Sequence, residues 1–332
     1  MLNRRQLIAA GLVMPLVSQS ELLAKWVVKS DLPYPVQEIY PVLHNNSIVV
    51  AGGIFQKPDG SLGIAKTVVA YDLAKETWLE LPDLPESRHH PMLCSVEGQL
   101  YAFSGFTTTA QGNWQASNDV LLLDEQKQLW RRLSQAEMPF PMCETVAMVD
   151  GFNVHLATGR RPSTKANNQW RDQTDINHHL IFNTKEKVWR AGAPAPSARN
   201  SAASAMVDGK WYVIGGRTVA EGNKAMTEVF DTTQNKWFSR RPMPKAQGGL
   251  AAAAVGNNIY TFGGEYFDQG GGVYQEVWCY ETELDRWSQV DIMPVPRHGL
   301  GALTIGDAIY VIAGAEQAGG NATSPRMSVF RP

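Results

Sequence analysis

The stretch WFSRRPMPKAQGGLAAAAVGNNIYTFGG, residues 237–264, is one copy of a block that recurs along the whole chain. It begins at Trp237 and turns at Met243-Pro244. Small apolar residues follow over 250–255, then a polar turn at Gly256-Asn257-Asn258, then an apolar run closed by Gly263-Gly264. The second glycine stands 27 positions after the tryptophan when the block starts at Trp26, Trp78, Trp189, Trp237 or Trp287. The block is two residues longer from Trp130 to Gly159. Length alone would suggest two domains for 332 residues, but a repeat of about 50 residues predicts one closed array of like units.

After each glycine pair comes a loop of variable length, then a short apolar run that ends in an aromatic or large aliphatic residue. Tyr71, Leu123, Phe182, Phe230 and Tyr280 each stand 7 positions before the next tryptophan, and the polar hexads between them have hairpin composition. Each unit therefore holds four short strands. No helical period appears in the mature chain, and short strands at this regularity predict a propeller. The glycines let the chain leave the second strand with dihedrals that side chains resist. The tryptophan supplies an apolar face for the wedge between neighbouring blades. Residues 327–330 read as a third strand with no tryptophan after it, and residues 26–28 as a fourth strand with no third before it. Joined in one blade, they would close the ring and remove its open edges.

With Trp26, Trp78, Trp130, Trp189, Trp237 and Trp287, the paired glycines and the aromatic-to-tryptophan spacing, residues 25–332 resemble the Kelch repeat family. Ser104, Thr158 and Ala313 replace the first glycine in three units. The resemblance implies an all-β, six-bladed Kelch β-propeller formed by a single domain. It implies no single activity, because the family includes peptide-binding hubs, sugar enzymes and copper oxidases.

The chain is 44% apolar and 19% charged with a net charge of −2. Without a basic field or a Lys/Arg run, nucleic acid and anionic membrane are not expected partners. Residues 1–24 differ from the rest. Arg4-Arg5 precedes an apolar run too short to span a bilayer, a pattern that resembles a twin-arginine export signal and predicts a periplasmic or secreted protein. Cys94, Cys143 and Cys279 have no C-x-x-C spacing. They are expected as buried free thiols, Cys94 and Cys143 on corresponding inner strands and Cys279 on a third strand. No metal or other cofactor is expected.

The near-constant blocks move attention to the variable loops, which in such arrays gather on one face. The longest, residues 160–177, combines Arg160, Arg161, Trp170, Arg171, Asp172 and Asp175. Blade five adds Glu265, Tyr266, Asp268 and Tyr274, and blade six adds Glu316 and Gln317. Residues entering the innermost strands, among them Arg88-His89-His90, Arg199-Asn200 and Arg297-His298, are expected to ring the channel. Arginine forks suit carboxylates, and aromatic faces suit sugar rings. The expected ligand is a small acidic or amidated sugar, bound by Arg88, Arg160, Trp170, Arg199, Arg217, Tyr266 and Arg297, with Glu265 and His298 as proton-moving groups. Two roles stay open for Arg88, Arg199 and Arg297, because an arginine after a proline turn can equally tie that turn to a neighbouring carbonyl.

Copper oxidases of the Kelch family need an adjacent Tyr-His pair, and no histidine here follows a tyrosine. The chain is similar to the exported bacterial six-bladed Kelch proteins that include N-acetylneuraminate mutarotases, and the resemblance implies anomer exchange. Those proteins place a glutamate just after the fourth glycine pair, with an arginine a few residues on. Here that place holds Arg217, with Glu221 after it, and the comparable glutamate is Glu265 in blade five. The alternative is a non-catalytic module that binds a glycan or a protein.

Overall fold

A computed structural model describes residues 25–332, and the export signal expected over residues 1–24 lies outside them. Six four-stranded antiparallel sheets follow the six sequence blocks. In the fourth blade, for example, Ala203–Val207, Lys210–Ile214, Thr227–Asp231 and Lys236–Arg240 pair in chain order from inside to outside. The last blade is shared by the two ends of the chain. Trp26–Val28 pairs with Met327–Phe330, with Trp26 opposite Phe330, and completes the sheet of Gly301–Ile305 and Ala308–Ile312.

The tryptophans do more than fill wedges. The indole N–H groups of Trp78, Trp130, Trp189, Trp237 and Trp287 donate to the carbonyls of Ser30, Pro82, Ala136, Ala193 and Arg241 at 2.8–3.1 Å. Each acceptor lies just beyond the preceding blade's outer strand, so one side chain supplies both apolar area and a directed bond between blades.

At the first position of the glycine pair the backbone is left-handed in every blade, glycine or not. Gly263 has φ +65°, and a Cβ there would lie 1.9 Å from the Arg297 carbonyl oxygen. Ser104, Thr158 and Ala313 hold φ of +58°, +58° and +52° with a Cβ in place. The departures from glycine in the sequence therefore mark blades whose neighbouring turn leaves room, and the backbone path is unchanged.

The innermost strands of all six blades enclose a channel of about 390 Å³, lined mainly by apolar groups such as Val42, Met92, Val146, Ala203, Ala251 and Leu303. All three cysteines are free and buried. Cys94 lies on the inner strand Met92–Val96 and Cys279 on the third strand Glu276–Glu281. Cys143 is not on a strand corresponding to that of Cys94. It sits in the turn before Val146–Asp150, bridged to Arg160. Among the described residues no helix is long and apolar enough to cross a membrane.

Candidate functional site

One turn builds the loop-face mouth of the channel, repeated six times. In each blade the N–H of the second glycine donates to the carbonyl of the residue that opens the next blade's inner turn: Gly53 to Arg88, Gly105 to Met142, Gly159 to Arg199, Gly216 to Gln247, Gly264 to Arg297 and Gly314 to Val36. Two residues further on, Glu38, His90, Glu144, Ser201, Gly249 and Gly299 all have positive φ, between +48° and +70°. Their main chains link from blade to blade. Glu38 N–H donates to Gly299, His90 to Glu38, Ser201 to Glu144, Gly249 to Ser201 and Gly299 to Gly249. This backbone collar sets four polar side chains at the mouth, and the first residue after each glycine pair adds Arg160, Arg217 and Glu265 from the loops.

The side chains form two linked groups. In the first, Glu265 forms an ion pair with Arg217 through Oε1, while Oε2 accepts the Gly319 N–H at 2.8 Å and lies 3.5 Å from His298 Nδ1. Glu38 faces the same ring nitrogen, with Oε1 3.8 Å from His298 Nδ1 and Oε2 2.7 Å from His90 Nε2. In the second, Glu144 accepts the Ser201 hydroxyl at 2.9 Å and lies 3.3 Å from Arg160 Nε. Arg160 also donates to Asn200 Oδ1 at 3.0 Å and sits 3.8 Å from Asp175. Four carboxylates thus meet two guanidinium groups.

The charges in this mouth hold one another ionised. Burial works to raise the carboxyl of Glu38, but His90, His298 and Arg217 outweigh it and keep that group well below the usual range. For Glu144 burial is likewise overcome, here by Arg160 first. Burial opposes the charge on Arg217, yet Glu265, Glu144 and Glu38 raise it above its ordinary value, so this guanidinium couples the two groups. Tyr40 is pushed well above its ordinary value by burial and by the same glutamates, which keeps its phenol a neutral donor.

The structure brings some expected residues together and removes others. Glu265, His298 and Arg217 converge, with Arg160 in the neighbouring group. Trp170 lies over Arg160, its ring centroid 4.3 Å from the guanidinium carbon, and screens a side chain that is only 1% exposed. Arg88, Arg199 and Arg297 do not face the channel mouth. They are fully buried between strands: Arg88 donates to the Ser104 carbonyl and pairs with Asp119, Arg199 pairs with Glu228 and donates to Val213, and Arg297 donates to Ala313 and Val295. Their side chains point back into their own blades, and the Nε–H groups of Arg88 and Arg199 that stay unpartnered are buried away from the mouth. Tyr266 also lies elsewhere. Because neighbours on a strand face opposite ways, it turns away from Glu265, pairs with Tyr274 at 5.1 Å, and lines a separate surface cleft of about 500 Å³ with Lys245, Asp268 and Glu276. His89 is a filler, stacked on Phe106 at 4.9 Å and edge-on to Trp114 at 4.3 Å.

Glu38, Glu144 and Ser201 are not among the expected site residues. Aligned on the glycine pairs, the six turns place these three and His90 in equivalent positions, with Asn200 and His298 one position earlier, and that alignment is the signal that finds them.

Two family models match the chain. A KLHDC2/KLHL20/DRC7 Kelch-repeats domain covers residues 168–324, and a Kelch motif covers residues 87–136. Kelch-like protein terF of Aspergillus terreus is 25% identical over 226 residues, 67% of this chain and 49% of that protein. Kelch repeat and BTB domain-containing protein 12 of Homo sapiens is 25% identical over 191 residues, 54% of this chain and 30% of that one. The chain thus spans half or less of the length of these relatives. Among solved structures, that of YjhT superposes with a TM-score of 0.74 at 17% identity over 91% of this chain and 95% of its own, a likeness of fold.

Proposed function

The chain is a Kelch-repeat propeller, and from that premise we propose that its channel mouth binds a small reducing sugar and exchanges its anomers. The observation that carries the proposal is the convergence of Glu265, His298 and Arg217 on one buried point, with Glu38 facing the same ring nitrogen. Mutarotation needs one group to protonate the ring oxygen and another to take the anomeric hydroxyl proton, and then the reverse. A carboxylate and an imidazole 3.5 Å apart suit that exchange, and the ionised Arg217 holds an oxygen substituent in place. Residues 316–320 lie over the pair through the Gln317 and Gly319 main chain. Entry of a sugar ring requires that segment, which contains Gly319 and Gly320, to move aside.

The proposal narrows the ligand. Acid groups outnumber arginines at the mouth, and the three buried arginines are committed within their blades, so a neutral amidated sugar is favoured over a carboxylated one. The test is one-dimensional NMR of anomer equilibration in freshly dissolved N-acetylglucosamine, N-acetylneuraminate and galactose. Acceleration of any of them above the buffer rate at micromolar protein supports the proposal, and no acceleration of all three rejects it.

A second proposal, a protein partner docked on the loop face, is favoured by the exposed Phe267 and Trp170 on the rim. Export through residues 1–24 remains part of the proposed biology. Replacing Arg4 and Arg5 with lysine should trap the protein in the cytoplasm if the twin-arginine route carries it.

A further inference from the structure

His298 is 1% exposed, and its two ring nitrogens face very different surroundings. Nε2 lies 2.9 Å from the Gln317 carbonyl oxygen and 3.1 Å from that of Gly319. Carbonyls only accept, so Nε2 carries the hydrogen. In the neutral ring, Nδ1 then presents a lone pair, and it has no hydrogen-bond partner. What it faces are two carboxylate oxygens, Glu265 Oε2 at 3.5 Å and Glu38 Oε1 at 3.8 Å. Three electron-rich atoms directed at one buried point repel one another unless a positive charge, a proton on Nδ1 or a bound cation, lies between them.

We infer that Glu38, Glu265 and His298 form a binding site for one divalent transition cation of the zinc or manganese type. All three ligand atoms lie within 4.8 Å of one another. Tetrahedral ligands at about 2.0–2.2 Å from a common ion stand about 3.3–3.6 Å apart, and the separations of His298 Nδ1 from Glu265 Oε2 and Glu38 Oε1, 3.5 and 3.8 Å, are close to that spacing. The remaining polar atoms of these side chains are already held from outside. His298 donates Nε2–H to main-chain carbonyls, Glu38 Oε2 abuts His90, and Glu265 Oε1 pairs with Arg217. Metal-binding histidines characteristically donate their other N–H to a carbonyl or carboxylate, and ligating carboxylates are likewise braced. The surrounding charge agrees, because four carboxylates outnumber the two guanidinium groups and His90 that face them. Three protein ligands also leave a coordination position for water or a sugar hydroxyl.

The inference draws on the residues of the anomer-exchange proposal but gives His298 Nδ1 and Glu265 Oε2 to a metal instead of to proton transfer, and it is tested without sugar, so either can fail alone. The chelator-treated full chain is titrated with Zn²⁺ and with Mn²⁺ by calorimetry. Co²⁺ loading is followed by its visible spectrum, which reports nitrogen ligation. One equivalent bound, a raised melting temperature, and at least a tenfold loss of affinity in both Glu38→Gln and His298→Gln are expected. His44→Gln, altered at the other end of the inner strand, should bind as the parent does. Circular dichroism shows whether each variant is folded. Absence of saturable binding by the parent chain overturns the inference. So does a Co²⁺ spectrum left unchanged by His298→Gln in folded protein.

Discussion

The main-chain N–H of Glu38 donates to the carbonyl of Gly299 at 2.7 Å, and this bond joins the first blade to the sixth at the channel mouth. The residue that helps close the ring also offers its carboxylate to His298 and His90. Its φ of +58° is what turns the side chain of an inner-turn residue toward the mouth. Ring closure and site chemistry therefore meet in the same left-handed turn, repeated in all six blades.

Arginines of two kinds should behave differently on replacement. Arg199→Ala leaves Glu228 buried without its partner, and loss of one member of a buried pair costs about 3–5 kcal/mol. Arg217 is 16% exposed at the mouth and its partner Glu265 keeps the Gly319 N–H, so Arg217→Ala should cost less stability than Arg199→Ala while removing anomer exchange. Urea unfolding midpoints compared with exchange rates separate the two. Equal midpoints for both variants would contradict this assignment.

Equivalent positions of the glycine pair should tolerate change unequally. Gly263→Ala would press a Cβ against the Arg297 carbonyl at φ +65°, and strain of this kind costs about 1–3 kcal/mol. Ala313→Gly, at φ +52° in the sixth blade, removes a methyl group and no strained contact, so its effect should stay below about 1 kcal/mol. Thermal melts of the two variants give the comparison.

Stability should fall as the pH drops from about 6.5, before any carboxylate protonates. His179 donates Nδ1–H to the Ala193 carbonyl at 3.0 Å and accepts from His155 Nδ1 at 2.8 Å, so both rings are neutral in the fold. Burial is the main cause in both cases, pushing His155 down to about 3 and His179 to about 4. The unfolded chain binds protons near pH 6.5 while the fold does not, and stability is lost as the pH descends through that window. Each histidine contributes about 1–2 kcal/mol of loss between pH 6.5 and 5. Melting temperatures at pH 7.5 and 5.0 should differ clearly in the parent chain and much less in a His155→Leu, His179→Phe double variant. Below about pH 4.5 the depressed Glu38 and Glu144 add a second loss, since their stabilisation is present only while they stay ionised.

The scaffold was readable because its determinants are local and repeated. The tryptophan, the glycine pair and the seven-residue hairpin spacing recur often enough to reveal four strands per blade and the joining of residues 26–28 with 327–330 in the last one. The site was only partly readable because it is made of one residue per turn. Glu265 and His298 stood out by type, and the structure brings them to 3.5 Å. Glu38 did not, since its turn opens with Val36 where three other blades carry arginine. Arg88, Arg199 and Arg297 were misleading for a physical reason. A side chain at the first turn position points back between strands, whereas one two positions later points to the channel.

The most direct test of the account follows anomer equilibration of fresh N-acetylglucosamine, N-acetylneuraminate and galactose by NMR, with the parent chain, Glu265→Gln and Arg217→Ala. General acid–base groups typically contribute about 10²–10⁴-fold, so the account predicts acceleration of at least one sugar by the parent chain and its loss by at least 100-fold in Glu265→Gln with the fold intact. Equilibration at the buffer rate for all three sugars, or full acceleration by folded Glu265→Gln, would contradict it.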